Sequence, residues 1–437
     1  VLLLEHLGIK PDVLVSNDWV AGLVAPCVRC AEWRVPPGEG LLHSPEREAR
    51  VALEAQQARG HWGRCALLHL IHNLETGYDG CLSSDSNGCA RWRLDEIHGL
   101  PPQLLAHRPS DAGCVDNLLS LSRAALLSAD SWATVSASYR AQLLTGEGPY
   151  SPLLRSFPAP FACALGIPLV ERRDELVARG MFGPAGHCAA KMELRRQCFG
   201  NDWQDSLRRS WPAARLHSPQ SPEDDLDETV PIIAFVGRLT HQKGVHLLLE
   251  CVEPLLSATG GRVQILVCGC AEASSAYAQR CARQMAELCQ RHPANFWCSD
   301  PRVFFEEGLF VTAAADFGVM PSLFEPSGLV GEEFLCAGTP LVCADTGGMR
   351  DRVRRAVLEG GAANGLLFAP NDHQALLTAL LAAVSLFNDA ATYKAMRDQA
   401  SASACDVEHT AFHWHAELVR LHARRVHSHR LATKHAG

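Results

Sequence analysis

From residue 231 onward the chain repeats one local pattern: a short apolar run, a polar turn rich in glycine, then a helical segment. Residues 231–237 open it with a buried-strand pattern, and residues 238–244 form the polar turn. Val245, Leu248, Leu249, Val252 and Leu256 then recur at helical spacing. Pro254 is expected to break or kink that helix near its end. Residues 263–269 are the next strand, followed by a helix through about Arg291. Residues 316–321, 340–344 and 365–368 read as strands, and 328–338 as a helix between the first two. Alternation of this kind predicts an α/β unit, a doubly wound parallel sheet covered by helices. Residues 373–398 read as helical, and 409–427 as a last amphipathic helix.

The first part of the chain follows the same rule with fewer elements. Residues 11–16 are a short apolar run that stops at Asn17 and Asp18, both good helix-capping types, and a helical pattern follows through Trp33. Residues 65–71 are a second strand, stopping at His72 and Asn73. Residues 117–130 read as a helix, 133–136 as a third strand and 139–144 as a helix. Residues 35–60 look like a surface excursion. Residues 200–230 carry an acidic, proline-punctuated loop and mark a boundary.

Composition narrows the partners. Forty basic against 48 acidic residues leave a net charge of −8, so no global basic excess argues for nucleic acid or an anionic membrane. No apolar run approaches the roughly 20 residues of a membrane helix. The 18 cysteines are too few for a disulfide scaffold, and Cys251, Cys268 and Cys343 lie inside apolar segments. They read as small buried thiols of a reduced compartment. Cys27 and Cys30 have C-x₂-C spacing, but no second pair stands nearby to complete a zinc site.

Three polar turns carry candidate chemistry, each just past a strand, where doubly wound sheets bind ligands. The first, residues 237–244, holds Arg238 and Lys243 at the mouth of a helix. Two cations beside helix-terminal amides suit a diphosphate and can stabilise charge developing on a leaving phosphate. The alternative is a pair of solvated basic residues. The second turn holds Glu325, Ser327, Gly328 and Leu329. Its amides can bind phosphate, and Glu325 can hold sugar hydroxyls. Glu333 follows about two turns down the same helix. The third, Thr346-Gly347-Gly348, adds further amides. Asp18 with Trp19, and His72 with Asn73, occupy the same position after strands in the first part.

The segments GRLTHQKG, FEPSGL with its trailing glutamate, TGGMRDRV, PDVLVSNDW and LLHLIHN occur in family order. Together they resemble the bacterial and plant glycogen and starch synthases. The resemblance covers about residues 10–140 and 185–370 and is most specific at 231–352. It implies a GT-B fold: two Rossmann-like doubly wound domains facing a central cleft. The expected division is 1–165 for the first domain, 166–230 for a linker or insert, 231–400 for the nucleotide-sugar domain and 401–437 for a C-terminal helix and tail. The implied activity is retaining glucosyl transfer from ADP-glucose or UDP-glucose to the non-reducing end of an α-1,4-glucan, without a metal or other cofactor. Arg238 and Lys243 would grip the diphosphate, and Glu325 the donor glucose. Amides of Ser327, Gly328 and Leu329 would meet sugar and phosphate, and His72 and Asp18 would reach the sugar from the other lobe. Asn73, Glu333, Thr346, Gly347 and Gly348 complete the implied binding set, and Phe304 or Phe305 would stack on the base. Other retaining GT-B transferases share the paired glutamates, and a catalytically silent glucan-binding scaffold is the alternative from another class.

The chain also departs from the family pattern. Where the family has H-D-W, this sequence has Asn17-Asp18-Trp19. Ser327 replaces the cysteine after E-P, and residues 165–170 read Leu-Gly-Ile-Pro-Leu-Val in place of an N-G-I-D contact. The family's K-x-G-G-L donor loop is absent from the first 150 residues, and only three strands are read there against about six in a complete half. An incomplete first domain is therefore expected, with weak or no transfer by the chain alone. The sequence leaves the nucleotide, the compartment (cytoplasm or plastid) and the oligomeric state open.

Overall fold

The computed structural model describes residues 4, 7–29, 60–75, 78–82, 119–199, 229–302, 305–353 and 363–435. Its contacts divide the chain into two units, Val1–Cys163 with Ala411–Gly437, and Ala164–Thr410.

In the first unit, β1 (Val13–Asn17), β2 (Ala66–Ile71), β5 (Ser131–Thr134) and β6 (Phe161–Ala162) form a parallel sheet in that order. A short antiparallel pair, β3 (Cys81–Leu82) and β4 (Leu119–Ser120), stands apart. Every residue of β2 is buried, which explains its nearly unbroken apolar run. Its one polar member, His69, has Nδ1 2.9 Å from Ser16 Oγ, and burial pushes its pKa down to about 4. The helical pattern expected through Trp33 is a 3₁₀ turn, Trp19–Ala21, followed by α1 (Val24–Arg29). Asp18 makes no side-chain cap there, because its carboxylate is engaged elsewhere. Cys30 and Trp33 lie outside the described residues, as do most of residues 35–60 and the acidic loop at 201–228. Ser120 and Ser136 do cap α2 (Leu121–Ser128) and α3 (Ala137–Thr145), accepting from Arg123 N and Tyr139 N at 3.1 Å each.

The second unit begins with α4 (Leu169–Ala178) and α5 (Gly183–Phe199). Residues 166–199, expected as part of a linker, therefore belong to this unit, with Leu176, Leu194 and Cys198 in its core. The unit continues through β7 (Ile232–Val236), α6 (Val245–Thr259), β8 (Gln264–Cys268), α7 (Ala276–Arg291) and β9 (Phe296–Cys298). Next come α8 (Gly308–Ala314), β10 (Phe317–Met320), α9 (Leu329–Cys336), β11 (Leu341–Ala344), α10 (Gly347–Arg352) and β12 (Gly365–Phe368). Two helices close it, α11 (His373–Phe387) and α12 (Ala390–Ser403). The strands run β9-β8-β7-β10-β11-β12, all parallel. Strand order reverses between β7 and β10, the topological switch of a doubly wound sheet.

Alternation along the strands feeds two apolar layers. Ile233, Phe235, Ile265 and Val267 pack with Leu248, Val252, Met285 and Leu380 on one face. Ile232, Ala234, Leu266 and Cys268 pack with Leu194, Val311 and Phe334 on the other. Phe334 lies so close that a side chain on Gly318 would come within 2.6 Å of its ring.

Two expected helices differ in extent. α6 runs through Pro254 to Thr259. Pro254 sits on the exposed face, where water can satisfy the carbonyl that the proline leaves without its helical donor. The 373–398 segment is two helices meeting at 109°, because the Asp389 carboxylate accepts from Thr392 N at 3.2 Å and starts α12 afresh. Cys251, Cys268 and Cys343 are buried free thiols, and burial raises the pKa of Cys251 to about 12. Among the described residues no single helix is long and apolar enough to cross a membrane.

The last helix, α13 (Val407–His435), braces the first unit from residue 411 onward. Arg425 reaches Asp130 Oδ1 at 3.2 Å and Gly63 O at 3.0 Å. The other Asp130 oxygen holds Arg29 at 2.6 Å and Leu67 N at 2.8 Å. Arg425 of the C-terminal helix thus has a structural role.

Candidate active site

The three turns picked out in sequence follow β7, β10 and β11, neighbouring strands at the switch point. Hydrogen bonds to backbone carbonyls stitch them together. Leu323 N donates to Gln242 O at 2.9 Å, and Gln242 Nε2 to Phe324 O at 3.0 Å. Gly348 N donates to Glu325 O at 2.8 Å. The Lys243 ammonium pairs with Glu325 Oε2, which also accepts from Ser322 Oγ at 3.0 Å. The carboxylate is buried and the ammonium nearly so, and two further acceptor positions on Glu325 remain for a ligand. Arg238, on the same turn as Lys243, is exposed.

Two glycines make the stitching possible. Gly244 has φ +63°, and a Cβ there would lie 1.9 Å from Pro321 O. Gly347 has φ +45°, and a Cβ there would lie 2.1 Å from Glu325 O. Any other residue would force the turns apart.

Ser327 is buried and held by Arg352, which sequence reasoning missed. Arg352 Nε donates to Ser327 O at 2.7 Å, and a terminal guanidinium nitrogen donates to Ser327 Oγ at 3.0 Å and Leu165 O at 3.0 Å. A hydroxyl accepts such a bond better than a thiol, so serine suits this position. Arg352 also forms a buried ion pair with Glu332, whose Oε2 accepts from Cys405 N at 2.8 Å. Gly328, at φ +83°, precedes α9, and Leu329 is exposed at its start. The first amides of α9 point away from its own ladder, the arrangement that receives phosphate. Thr346 leads α10 without a side-chain cap.

Glu333 sits elsewhere on α9. Its Oε1 lies 3.2 Å from Arg172 Nε on α4. Burial raises its pKa, and Arg172 opposes the rise. Phe305 is half-buried against the apolar layer of this unit, and Phe304 lies outside the described residues. Residues 165–170 pair with another segment of the same unit: Ile167 bridges Asp406, and Gly166 N donates to Thr410 Oγ1 at 2.9 Å.

In the first unit, Asp18 and His72 do meet. Asp18 follows β1 with φ +48°, an uncommon conformation for a residue with a side chain. Its Oδ1 accepts from His72 N at 2.6 Å, and Oδ2 lies 3.2 Å from His72 Nδ1. Burial opposes ionisation of Asp18, but the bonds from His72 outweigh it and lower its pKa. This fixes the imidazole with Nδ1 toward the carboxylate, so Nε2 is the atom left to act. Asn73 uses its Oδ1 to accept from Glu75 N at 2.8 Å, and Tyr139 OH accepts from Leu74 N at 2.9 Å. Asn73 shapes the loop that carries His72.

Comparison with known proteins gives the family and the fold. The "Glycosyl transferases group 1" family model matches residues 219–401. A glycogen synthase of Thioalkalivibrio sulfidiphilus is 30% identical over 405 residues, covering 90% of this chain and 69% of that protein. Glycogen synthase 2 of Nitrosococcus oceani is 28% identical, covering 86% of this chain and 64% of its own length. The chain thus spans about two thirds of these relatives. Among solved structures, the catalytic domain of starch synthase IV from Arabidopsis thaliana, bound to ADP and acarbose, aligns with TM-score 0.65 and 20% identity over 97% of this chain and 75% of that one. Sucrose-phosphate synthase from Thermosynechococcus elongatus aligns with TM-score 0.54 and 18% identity over 97% and 77%. The fold is that of the GT-B glycosyltransferases, and the chain belongs to the glycogen synthase family.

Proposed function

We propose that the chain transfers glucose from a nucleotide-glucose to the non-reducing end of an α-1,4-glucan with retention. The observation that carries this reading is the Lys243–Glu325 pair at the β7/β10 switch, on turns that also carry Arg238 and lead into α9. A diphosphate needs cations and amides, and a hexose needs carboxylate acceptors; the turns after these strands offer both. In the proposed step the bond from C1 to the diphosphate oxygen breaks, and a bond from C1 to the acceptor 4-oxygen forms on the same face. The acceptor hydroxyl proton leaves with the diphosphate. Arg238 and Lys243 stabilise the departing diphosphate, which carries most of the charge that develops. Glu325 orients the sugar, and Ser327–Leu329 amides meet the phosphate. In the first unit, His72 is fixed by Asp18 and can offer Nε2 to a polar ligand group. The scheme draws on Arg238, Lys243 and helix amides, and on no metal ion, to stabilise the leaving group.

The test is incorporation of labelled glucose from ADP-glucose and UDP-glucose into glycogen, with Lys243→Ala and Glu325→Ala as controls. Incorporation that depends on both residues is expected. Transfer to small acceptors alone makes the chain a sucrose- or glycolipid-forming type. Glucan binding with no transfer to any acceptor makes it a scaffold.

A further inference from the structure

The second unit holds a cavity of about 340 Å³ that the strand-end turns do not use. Its walls come from the start of α5, from Ala337 and Gly338 between α9 and β11, and from one side of α12. It therefore lies at the amino ends of the strands, whereas the candidate active site lies at their carboxyl ends. A volume of this size is at the small end of the roughly 300–1,000 Å³ of ligand pockets and fits one ring better than a nucleotide.

Two polar residues that line the cavity, His187 and Tyr393, are held from behind by one carboxylate. Asp316, just before β10, is wholly buried. It accepts from Ile232 N at 2.7 Å and Tyr393 OH at 2.7 Å, and it holds Lys191 Nζ at 2.8 Å and His187 Nε2 at 3.2 Å. Lys191 already balances the charge of Asp316, which leaves the Arg397 guanidinium in surplus. The acceptors that hold Arg397 are neutral and distant: Tyr393 OH at 3.2 Å, Ala315 O at 3.5 Å and Ala337 O at 3.4 Å. A carboxylate or phosphate would approach a guanidinium to about 2.7–2.9 Å and could take two parallel bonds. The lining also has an apolar part: Phe182, 39% exposed, and Pro184. At the rim, Lys394 and Asp398 neutralise each other.

We infer that this cavity binds a small organic anion, a carboxylate or phosphate monoester on a short apolar body, with Arg397 as its anchor. The acidic group sits on the guanidinium, and the body lies against Phe182 and Pro184. This site is independent of the transferase reading, since it shares no side chain with the strand-end turns.

Calorimetric titration of the full chain with benzoate and phenyl phosphate tests it, with benzyl alcohol as the neutral probe. The two anions separate carboxylate from phosphate recognition. Saturable binding of at least one anion is expected, with benzyl alcohol about tenfold weaker or more. Arg397→Gln should weaken the anion about tenfold. Ser401→Phe fills the cavity and spares the Asp316 network, so it should abolish binding even if Arg397→Gln proves unstable. Lys243→Ala should leave binding unchanged, because that residue belongs to the other end of the sheet. Absence of saturable binding, equal binding of benzyl alcohol, survival of binding in Ser401→Phe, or its loss in Lys243→Ala would each overturn the assignment.

Discussion

Lys243 Nζ and Glu325 Oε2 form an ion pair that joins the turns after β7 and β10, the two strands between which the sheet order reverses. The pair places a cation and a carboxylate at the point where a doubly wound sheet receives its ligand. Removing either group should slow the chemical step more than it disturbs the fold. Lys243→Ala, Arg238→Ala and Glu325→Ala are each expected to lower the glucosyl-transfer rate by about 100-fold or more. Initial rates of label incorporation, with circular dichroism as the fold control, check this. Near-normal rates in all three variants would remove the site assignment.

Gly244 and Gly347 act through the backbone. At φ +63° and +45°, with carbonyls 1.9 and 2.1 Å from where a Cβ would stand, neither tolerates alanine without separating the turns. Gly244→Ala and Gly347→Ala should each destabilise the chain by about 1–3 kcal/mol or more, read from the urea midpoint. Nucleotide affinity should fall further than stability alone explains, because the turns carry the ligand groups. Gly260→Ala is the control: it shares a positive φ but has open space around it, so only the backbone strain should register.

Arg352 and Glu332 are both buried, and each would leave the other's charge stranded. Arg352→Met is expected to cost about 3–5 kcal/mol of stability. The double variant Arg352→Met with Glu332→Leu should recover part of that loss, since no bare charge remains. It should not recover nucleotide affinity, because Ser327 would still lack its guanidinium partner. A double-mutant cycle by denaturant unfolding, run beside nucleotide binding, separates the two effects.

Asp316 should set part of the acid stability. Burial alone would raise its pKa, but His187 and Lys191 outweigh burial and hold it well below the usual carboxylate range. A carboxylate lowered in the folded state stabilises the fold above its unfolded pKa, about 3.9, and loses that contribution as pH falls toward the folded value. The difference in unfolding free energy between the wild type and Asp316→Asn should therefore be full at neutral pH and shrink below about pH 4. A difference that stays constant from pH 7 to pH 3 would contradict this.

Much of the second sheet is legible in the sequence because its strands end in polar or glycine turns and its helices keep apolar spacing. β9 is hidden because Phe296-Trp297-Cys298 is too short a run to show a period. α4 and α5 are hidden for another reason: α5 buries Lys191 and Arg195, so its inward face carries no clean apolar stripe. At the site, Arg238, Lys243 and Glu325 are readable from their position after strands. The Arg352–Glu332 pair is not, because two charges buried against each other look in sequence like two solvated ones. Glu333 enters the binding set only through the family resemblance, and its Oε1 meets Arg172 on α4, a neighbour that the sequence does not reveal. Asp18 and His72 are readable as polar strand ends, but only the parallel register of β1 on β2 brings them together.

In the proposed function, the turns after β7, β10 and β11 bind the diphosphate of a nucleotide-sugar. Equilibrium binding of ADP and UDP to the 437-residue chain and to its Lys243→Ala and Arg238→Ala variants measures this directly. Saturable binding of at least one of the two nucleotides is expected, weakened about tenfold or more by either substitution. No saturable binding of either nucleotide, or binding that both variants leave unchanged, would contradict it.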